Sequence, residues 1–296
     1  MPVVINTNVD ALRIQGSLNN ATSKLSKASQ RMSTGLKVNS AKDDASGNVI
    51  AARMKVQMQG NKIAQNNVQN GTAMLATAEG HLQIVEDNLS RIRDLTLQAK
   101  NGTYSDEEIK AMQDEVEQRI LEIDRISESS RYSSLSLFED AKGLQTNGAT
   151  FQVGANHQDY NTISASEKLF QSVKFSMLTT VQGKFDLTVM KNEADSTPVT
   201  AASYSSHEEA IYTLDEALDN ISDRRSIIGS AQNRLESALD TLSIQYENLS
   251  SAKSVIVDAD IAEEASNYTQ QSILQQVSTS LLVQANQAPS IALSLI

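Results

Sequence analysis

The stretch IYTLDEALDNISDRRSIIGSAQNRLESALDTLSIQYENLSSAKSVI, residues 211–256, decides the fold. In steps of three and four it reads Ile211, Leu214, Leu218, Ile221, Arg225, Ile228, Gln232, Leu235, Leu239, Leu242, Tyr246, Leu249, Lys253 and Ile256. The alternation never slips, and only Arg225, Gln232 and Lys253 interrupt the apolar seam. The stretch holds no proline, and Gly229 is its one glycine. Such a heptad register belongs to a long helix packed against other long helices. At the α-helical rise it makes a rod roughly 69 Å long. A rod of that length needs partners of similar length.

Three partners can be read outward from it. Residues 64–99 repeat the register as Ala64, Val68, Gly71, Leu75, Ala78, Leu82, Val85, Leu89, Ile92, Thr96 and Ala99, roughly 54 Å of helix. Its small early residues allow close helix approach near Gly71, and the pairing with 211–256 can be parallel or antiparallel. The expected rod seam is therefore Leu75, Leu82, Val85 and Leu89 against Leu235, Leu239, Leu242 and Leu249. Asn101-Gly102 stops that helix. Ser105 and Glu108 then fit a capping box, and Tyr104 with Ile109 fits a hydrophobic staple. Ile109, Met112, Val116, Ile120 and Ile123 give the next helix its apolar face, so the two helices form an αα-hairpin.

The N-terminal helix is expected over about residues 5–32, where Ile14, Leu18, Ala21, Leu25, Ala28 and Met32 share one face. Asn6, Thr7 and Asn8 are cap candidates at its start. The break at 33–45 offers Gly35 for a positive-φ helix end and Ser40 or Asp43 to cap the next helix. From about Arg131 to Ser203 the character changes. Short alternating runs, Phe151-Gln152-Val153 and Lys184-Phe185-Asp186-Leu187-Thr188-Val189, read as strands and hairpins that crown one end of the bundle. After Ile256, the acids Asp258, Asp260, Glu263 and Glu264 complement the start of a last helix. Along it Leu274, Val277, Leu281, Ala288, Ile291 and Leu295 keep the 3-4 spacing.

The expected fold class is mostly α: a long, antiparallel, coiled-coil-like bundle with a small β-hairpin-rich segment and paired terminal helices. The 296 residues include 4% aromatics, no tryptophan and only Pro2, Pro198 and Pro289, a composition for narrow helical seams rather than a thick core. A net charge of −11 argues against nucleic acid or an anionic membrane surface as partner. With no cysteine there is neither a disulfide framework nor a thiolate metal site. The start, MPVVINTNVDALR, lacks the basic and apolar regions of a secretory signal, and no run of eighteen apolar residues can span a membrane.

The ends carry opposite charge. Residues 1–60 hold eight basic and three acidic residues, +5, whereas residues 257–296 hold four acids and no base, −4. Beyond Glu264 the last 32 residues carry no formal charge on any side group. Solvated helix faces normally carry Lys and Glu, so this tail is expected to be packed on several sides in an assembly. The glutamines between 270 and 287 make membrane insertion expensive.

Those ends carry a family resemblance. INTNVDAL and QRMSTGLKVNSAKDDASG at one end, with NRLESALDTLSIQYENLSSAKSVIVDADIAEE and LVQANQAPSIALSLI at the other, resemble bacterial flagellin. In the middle only FQVGAN is family-like, and Ser130-Arg131-Tyr132-Ser133-Ser134 stands where the family has a Thr-x-Phe-Asn-Gly turn. The resemblance implies a structural subunit that assembles into the extracellular flagellar filament. It implies export unfolded through the flagellar type III channel, without a cleaved signal. It also implies an inner domain of terminal helices (1–42 and 258–296) and a helical rod domain (43–138 and 206–257). A β-rich segment at the rod tip (139–205) stands in place of a variable outer domain. The implied intersubunit packing residues are Ile14, Leu18, Leu25, Met32, Leu274, Val277, Leu281, Ile291 and Leu295. The implied partners are further copies of the same protein, an export chaperone on the C-terminal helix, filament cap and junction proteins, and a host Toll-like receptor. The receptor patch maps to Arg91 and Leu95 with Glu115, and glycosylation to Ser196, Thr197, Ser203 and Ser205. A hook–filament junction protein and a flagellin-scaffold hydrolase are the alternatives.

No catalytic or cofactor-binding constellation emerges. His81, His157 and His207 lack partners at ligand spacing. Asp258-x-Asp260 with Glu263-Glu264 fails the calcium-loop pattern at Ala262 and lacks its glycine. Asp43-Asp44 reads as a capped helix start, and neither a phosphate-binding loop nor a dinucleotide fingerprint occurs. Arg91 and Arg93 read first as contacts to a neighbouring subunit's acids.

Overall fold

The computed structural model describes residues 8–139, 144, 148–179, 185–191 and 207–293. The elements in order are α1 (Val9–Thr34), α2 (Ala45–Ala99), α3 (Asp106–Ser129), β1 (Arg131–Tyr132), β2 (Leu135–Ser136), β3 (Ala149–Gln152), β4 (Thr162–Ala165), α4 (Phe175–Leu178), α5 (Leu187–Lys191), α6 (His207–Val257) and α7 (Ile261–Leu293). The protein forms two compact units, Gln59–Gln245 and the pair Met1–Met58 with Tyr246–Ile296. Helices α2 and α6 contribute to both.

The middle unit holds one apolar core running in sequence from Ala64 to Leu242. All eleven α2 positions of the register, Ala64 through Ala99, are buried. On α6 the buried stripe is wider than the spacing predicts. Leu214, Ile221, Ile228, Leu235 and Leu242 are buried, but Leu218, Leu239 and the polar pair Arg225 and Gln232 are half-buried. Ala210, Ala217, Arg224 and Ala231, each one residue before a seam position, are buried instead. A helix enclosed by more than one neighbour needs three core positions per heptad, and the small ones lie where approach is closest.

Helix α3 begins with both halves of its capping box: the Ser105 hydroxyl accepts from Glu108 N, and the Glu108 carboxylate accepts from Ser105 N at 2.7 Å. Its residues Ile109, Val116 and Ile123 are buried, with Met112 and Ile120 partly so. The β1–β2 hairpin turns at Ser133, the one described non-glycine residue with positive φ (56°). β3 and β4 pair antiparallel in the register Ala149–Ala165 to Gln152–Thr162.

Two expectations for the middle segment are corrected. Leu187–Lys191 is a helical turn, not a strand. Asp186 accepts from the backbone N–H and hydroxyl of Thr188, a capping arrangement that overrides the strand propensity of a short run. Buried Gln113 fixes its entry, donating to Phe185 O at 2.8 Å and accepting from Leu187 N at 2.9 Å. The described part of the segment also lies along helix flanks rather than crowning an end. Phe175 N bonds Asp124, Lys174 pairs with Glu128, and the Phe151 ring covers Gly71 of α2. A Cβ at residue 71 would stand 2.7 Å from that ring, so Gly71 receives an aromatic ring where helix approach was expected.

In the terminal unit α1 and α7 pair antiparallel. Asn8 Nδ2 reaches Ala285 O (2.8 Å), Gln275 Nε2 reaches Thr22 Oγ1 (3.1 Å), and Arg31 meets Glu264 (2.8 Å). Asn8 is the cap of α1, accepting from Ala11 N. Gly35 closes α1 at φ 71°, a conformation glycine adopts without steric cost. The next residues pair with the α6–α7 link: Lys37 N donates to Val257 O (2.8 Å) and Ala259 N to Gly35 O (2.9 Å). Asp44, rather than Ser40 or Asp43, caps α2 through Ser46 N and Gly47 N. Those bonds, Gly47 N–H first, hold its carboxyl below the ordinary range. Ser40 and Asp43 close a separate turn.

Candidate subunit interface

Little of the terminal unit is dry. Its buried apolar residues, among those described, are Ala21, Ala28, Val38, Ala51 and Val257, none larger than valine. Ile14, Leu18, Leu25 and Met32 of α1 are half-buried. Across from them the less exposed side of α7 presents Glu264, Gln271, Gln275, Ser278, Leu282 and Ala285, a mostly polar or small series. Apart from Leu282, its described large apolar residues point elsewhere. Ile273 (55%), Leu274 (44%), Val277 (48%), Leu281 (45%) and Val283 (56%) keep about half their surface open. Val9, Leu12, Val49, Ile50, Val56, Val255 and Ile261 of the same unit are also exposed. The 3-4 repeat of α7 thus marks a face that α1 does not cover. Ile291 lies in α7 with its side group outside the described residues, as is all of Leu295.

One salt link fits the opposite charge of the two ends, Arg31–Glu264 joining α1 to α7, whereas Lys27 lies 3.8 Å from Asp43 within the N-terminal end itself. Such an arrangement positions the helices while leaving their apolar surface for another occupant. Unpartnered apolar surface of this extent marks an association site.

The rod seam is organised differently. Leu75, Leu82, Val85, Leu89 and Leu235 are fully buried, Leu242 nearly so, and Leu239 and Leu249 partly. Beside the apolar rows runs a polar ladder that the apolar pattern does not reveal. Glu79, Glu86 and Arg93 on α2, with Lys100 just past its end, recur every seven residues and meet Gln232, Arg225, Asp215 and Glu208 on α6. Sign inverts halfway along the ladder, between Glu86 and Arg93 on α2 and between Asp215 and Arg225 on α6, and the pairing fixes α2 and α6 as antiparallel. The seven-residue spacing of those four charges is itself a sequence signal, but one that a count restricted to apolar residues passes over.

The mapped receptor residues separate in space. Arg91 and Glu115 form a bidentate ion pair (2.8 and 3.1 Å), which Arg119 joins at 3.4 Å. The Arg91 hydrogen bond holds the Glu115 carboxyl below its usual range. Leu95 is 2% exposed and turned into the core, so it does not share their surface. Arg91 and Arg93 pair with Glu115 and Asp215 within the subunit. Ser196, Thr197, Ser203 and Ser205 lie outside the described residues.

The histidines stay apart: His157 is exposed, His207 is buried in the first turn of α6, and burial lowers the pKa of half-buried His81. Among the described residues no three His, Cys, Asp or Glu residues gather to hold a metal ion, and no helix is long and apolar enough to cross a membrane. Arg224 is buried against Gln171 O (2.8 Å), and desolvation pulls its guanidinium down to about 10, still charged at neutral pH.

A well-packed helical rod joined to terminal helices with outward apolar faces defines a structural, self-associating subunit. Similarity to known proteins agrees. Residues 5–142 match the bacterial flagellin N-terminal helical region, and residues 211–296 match its C-terminal helical region. A flagellin of Xenorhabdus nematophila is 36% identical, and the match spans 100% of both proteins. The flagellar filament 33 kDa core protein of Treponema phagedenis is 34% identical over 99% of this protein and 100% of that one. A putative flagellar hook-associated protein of Vibrio parahaemolyticus shares the fold at TM-score 0.56 and 16% identity, covering 72% of this protein and 99% of that one. The chain belongs to the bacterial flagellin family and is a subunit of the extracellular flagellar filament.

Proposed function

We propose that the filament is held together through the open faces of the terminal helices, with the middle unit as a self-sufficient rod. The carrying observation is the contrast between the two units. One buries a continuous core from Ala64 to Leu242, whereas the buried apolar residues of the other, among those described, are alanines and valines, with leucines, isoleucines and valines exposed. Ile14, Leu18, Leu25 and Met32 with Leu274, Val277, Leu281, Ile291 and Leu295 supply the packing, and neighbouring copies complete it. Knobs-into-holes packing of such faces forms an inner wall. The inner domain comprises 1–42 and 258–296, the rod 43–138 and 206–257, and residues 139–205 replace an outer domain.

The role is mechanical rather than catalytic. The C-terminal helix, uncharged beyond Glu264 and with an open apolar face, is the natural grip for an export chaperone before assembly, consistent with passage through the flagellar channel without a cleaved signal. Cap and junction proteins meet the same ends. Arg91 and Glu115 are the surface residues through which a host Toll-like receptor would be engaged, and Ser196, Thr197, Ser203 and Ser205 are the acceptors for sugars. Deleting Val277–Ile296 should leave a soluble helical monomer that does not elongate filament seeds. Long filaments from the truncated protein would refute the role given to α7.

A further inference from the structure

The α2–α3 connection carries a reactive dipeptide that its structural role does not require. Two Asn-Gly pairs, Asn70-Gly71 and Asn101-Gly102, lie within the described residues, and both asparagines are exposed. Their backbones differ. Gly71 lies in the middle of α2, where its amide is committed to the helical ladder and its Cα is covered by Phe151. Gly102 lies between α2 and α3, exposed, and its amide makes no hydrogen bond among the described residues. The Asn101 carboxamide makes none among them either; only its backbone is engaged, N–H to Gln98 O (3.0 Å) and C=O from Tyr104 N (3.4 Å). A Cβ at residue 102 would meet nothing within 4 Å, and its φ lies outside the left-handed region, so nothing in the fold demands glycine there.

We propose that Asn101 is a site of spontaneous deamidation and isoaspartate formation, an age-dependent charge switch in the α2–α3 turn. The Gly102 amide nitrogen, losing its proton to solvent base, attacks Asn101 Cγ. The new C–N bond closes a succinimide ring, and the carboxamide C–N bond breaks to release ammonia, which carries away a proton. Water then opens the ring at either carbonyl, leaving aspartate or isoaspartate with no change of oxidation state. Glycine favours attack because no Cβ obstructs its nitrogen. The product moves the formal charge of the protein from −11 to about −12. The new carboxylate adjoins the C-terminal end of α2, whose dipole disfavours it. Isoaspartate adds a backbone methylene to the turn that Tyr104 N–H closes.

The test is incubation of the full-length protein at neutral pH over weeks. Digestion under mildly acid conditions and mass spectrometry of the peptides carrying Asn70 and Asn101 follow, with methyl transfer by an isoaspartyl methyltransferase to count isoaspartate. In the native protein Asn101 should convert faster than Asn70 by roughly tenfold or more, the suppression expected where a mid-helix amide must first open. In denaturant the two should convert at similar rates. Gly102→Ala should keep the native circular dichroism and melting temperature while strongly slowing conversion at residue 101. An unchanged Asn101 in native protein, a native Asn70 that converts as fast, or a Gly102→Ala variant that converts at the parent rate would each overturn the proposal.

Discussion

Leu281 gives the sharpest separation between holding the subunit together and joining it to others. Fully burying a leucine is worth about 1.5–3 kcal/mol. With 45% of Leu281 open, about 1 kcal/mol of that is still to be gained from a neighbouring copy. Leu281→Ala should therefore raise the critical concentration for elongation about fivefold, the factor that about 1 kcal/mol per added subunit implies. Leu281→Asp places an unpaired carboxylate in the same contact, a penalty of roughly 2 kcal/mol or more, and should stop elongation under conditions where the parent grows. In the isolated monomer Leu281→Ala should cost no more than about 1–1.5 kcal/mol, the share of the same burial already made within the subunit. Seeded elongation followed by sedimentation measures the first quantity, and circular dichroism melting of the monomer measures the second. A Leu281→Asp variant that elongates at the parent critical concentration would show that this face is not an interface. A large fall in monomer melting would show that the face is covered within the subunit.

Other consequences concern the rod. Leu235→Ala truncates a fully buried leucine and should cost about 2–5 kcal/mol in monomer stability, read from denaturant unfolding. Leu239→Asp, on a half-buried flank, should lower the melting temperature less than Leu235→Asp; equal losses would refute the stripe assignment. Glu86→Arg sets like charge against Arg225 and should lower the melting temperature, with Arg225→Glu in the double variant recovering most of the loss. The Glu115 carboxyl titrates below its ordinary value of 4.5 because of Arg91. Its contribution is complete above that value and is lost as pH falls through the lower folded pKa. Arg91→Ala should flatten that part of the acid stability profile, and an unchanged slope would count against the pair.

Much of this architecture is legible in the residues, and the failures share a cause. Helix α2 is read correctly along its register, since every position from Ala64 to Ala99 in the 3-4 series faces inward, while Ile63, Ile84 and Leu97 off the series stay exposed. Helix α6 is read one flank off: Ala210, Ala217 and Ala231 are too small to stand out, and Arg224 is buried without an apolar label. Counting only hydrophobic residues also hides the ladder, since Arg225 and Gln232 look like flaws in a seam when they are rungs beside it. In α7 the period is right, but periodicity does not say which partner a stripe serves. Here the partner helix within the subunit takes the glutamines and serines. The strand reading of residues 184–189 fails at Asp186, whose carboxylate reaches the backbone two residues on and closes a helical turn.

The sign inversion along α2 and α6 has a mechanical meaning. Sliding α6 by one heptad in one direction would bring Arg225 toward Arg93, and in the other would bring Asp215 toward Glu86. Each displacement keeps the leucines interlocked yet opposes two like charges. The rod is therefore notched against lengthwise creep, so that a push or pull along its axis is carried by the subunit as one piece instead of being lost as internal slip.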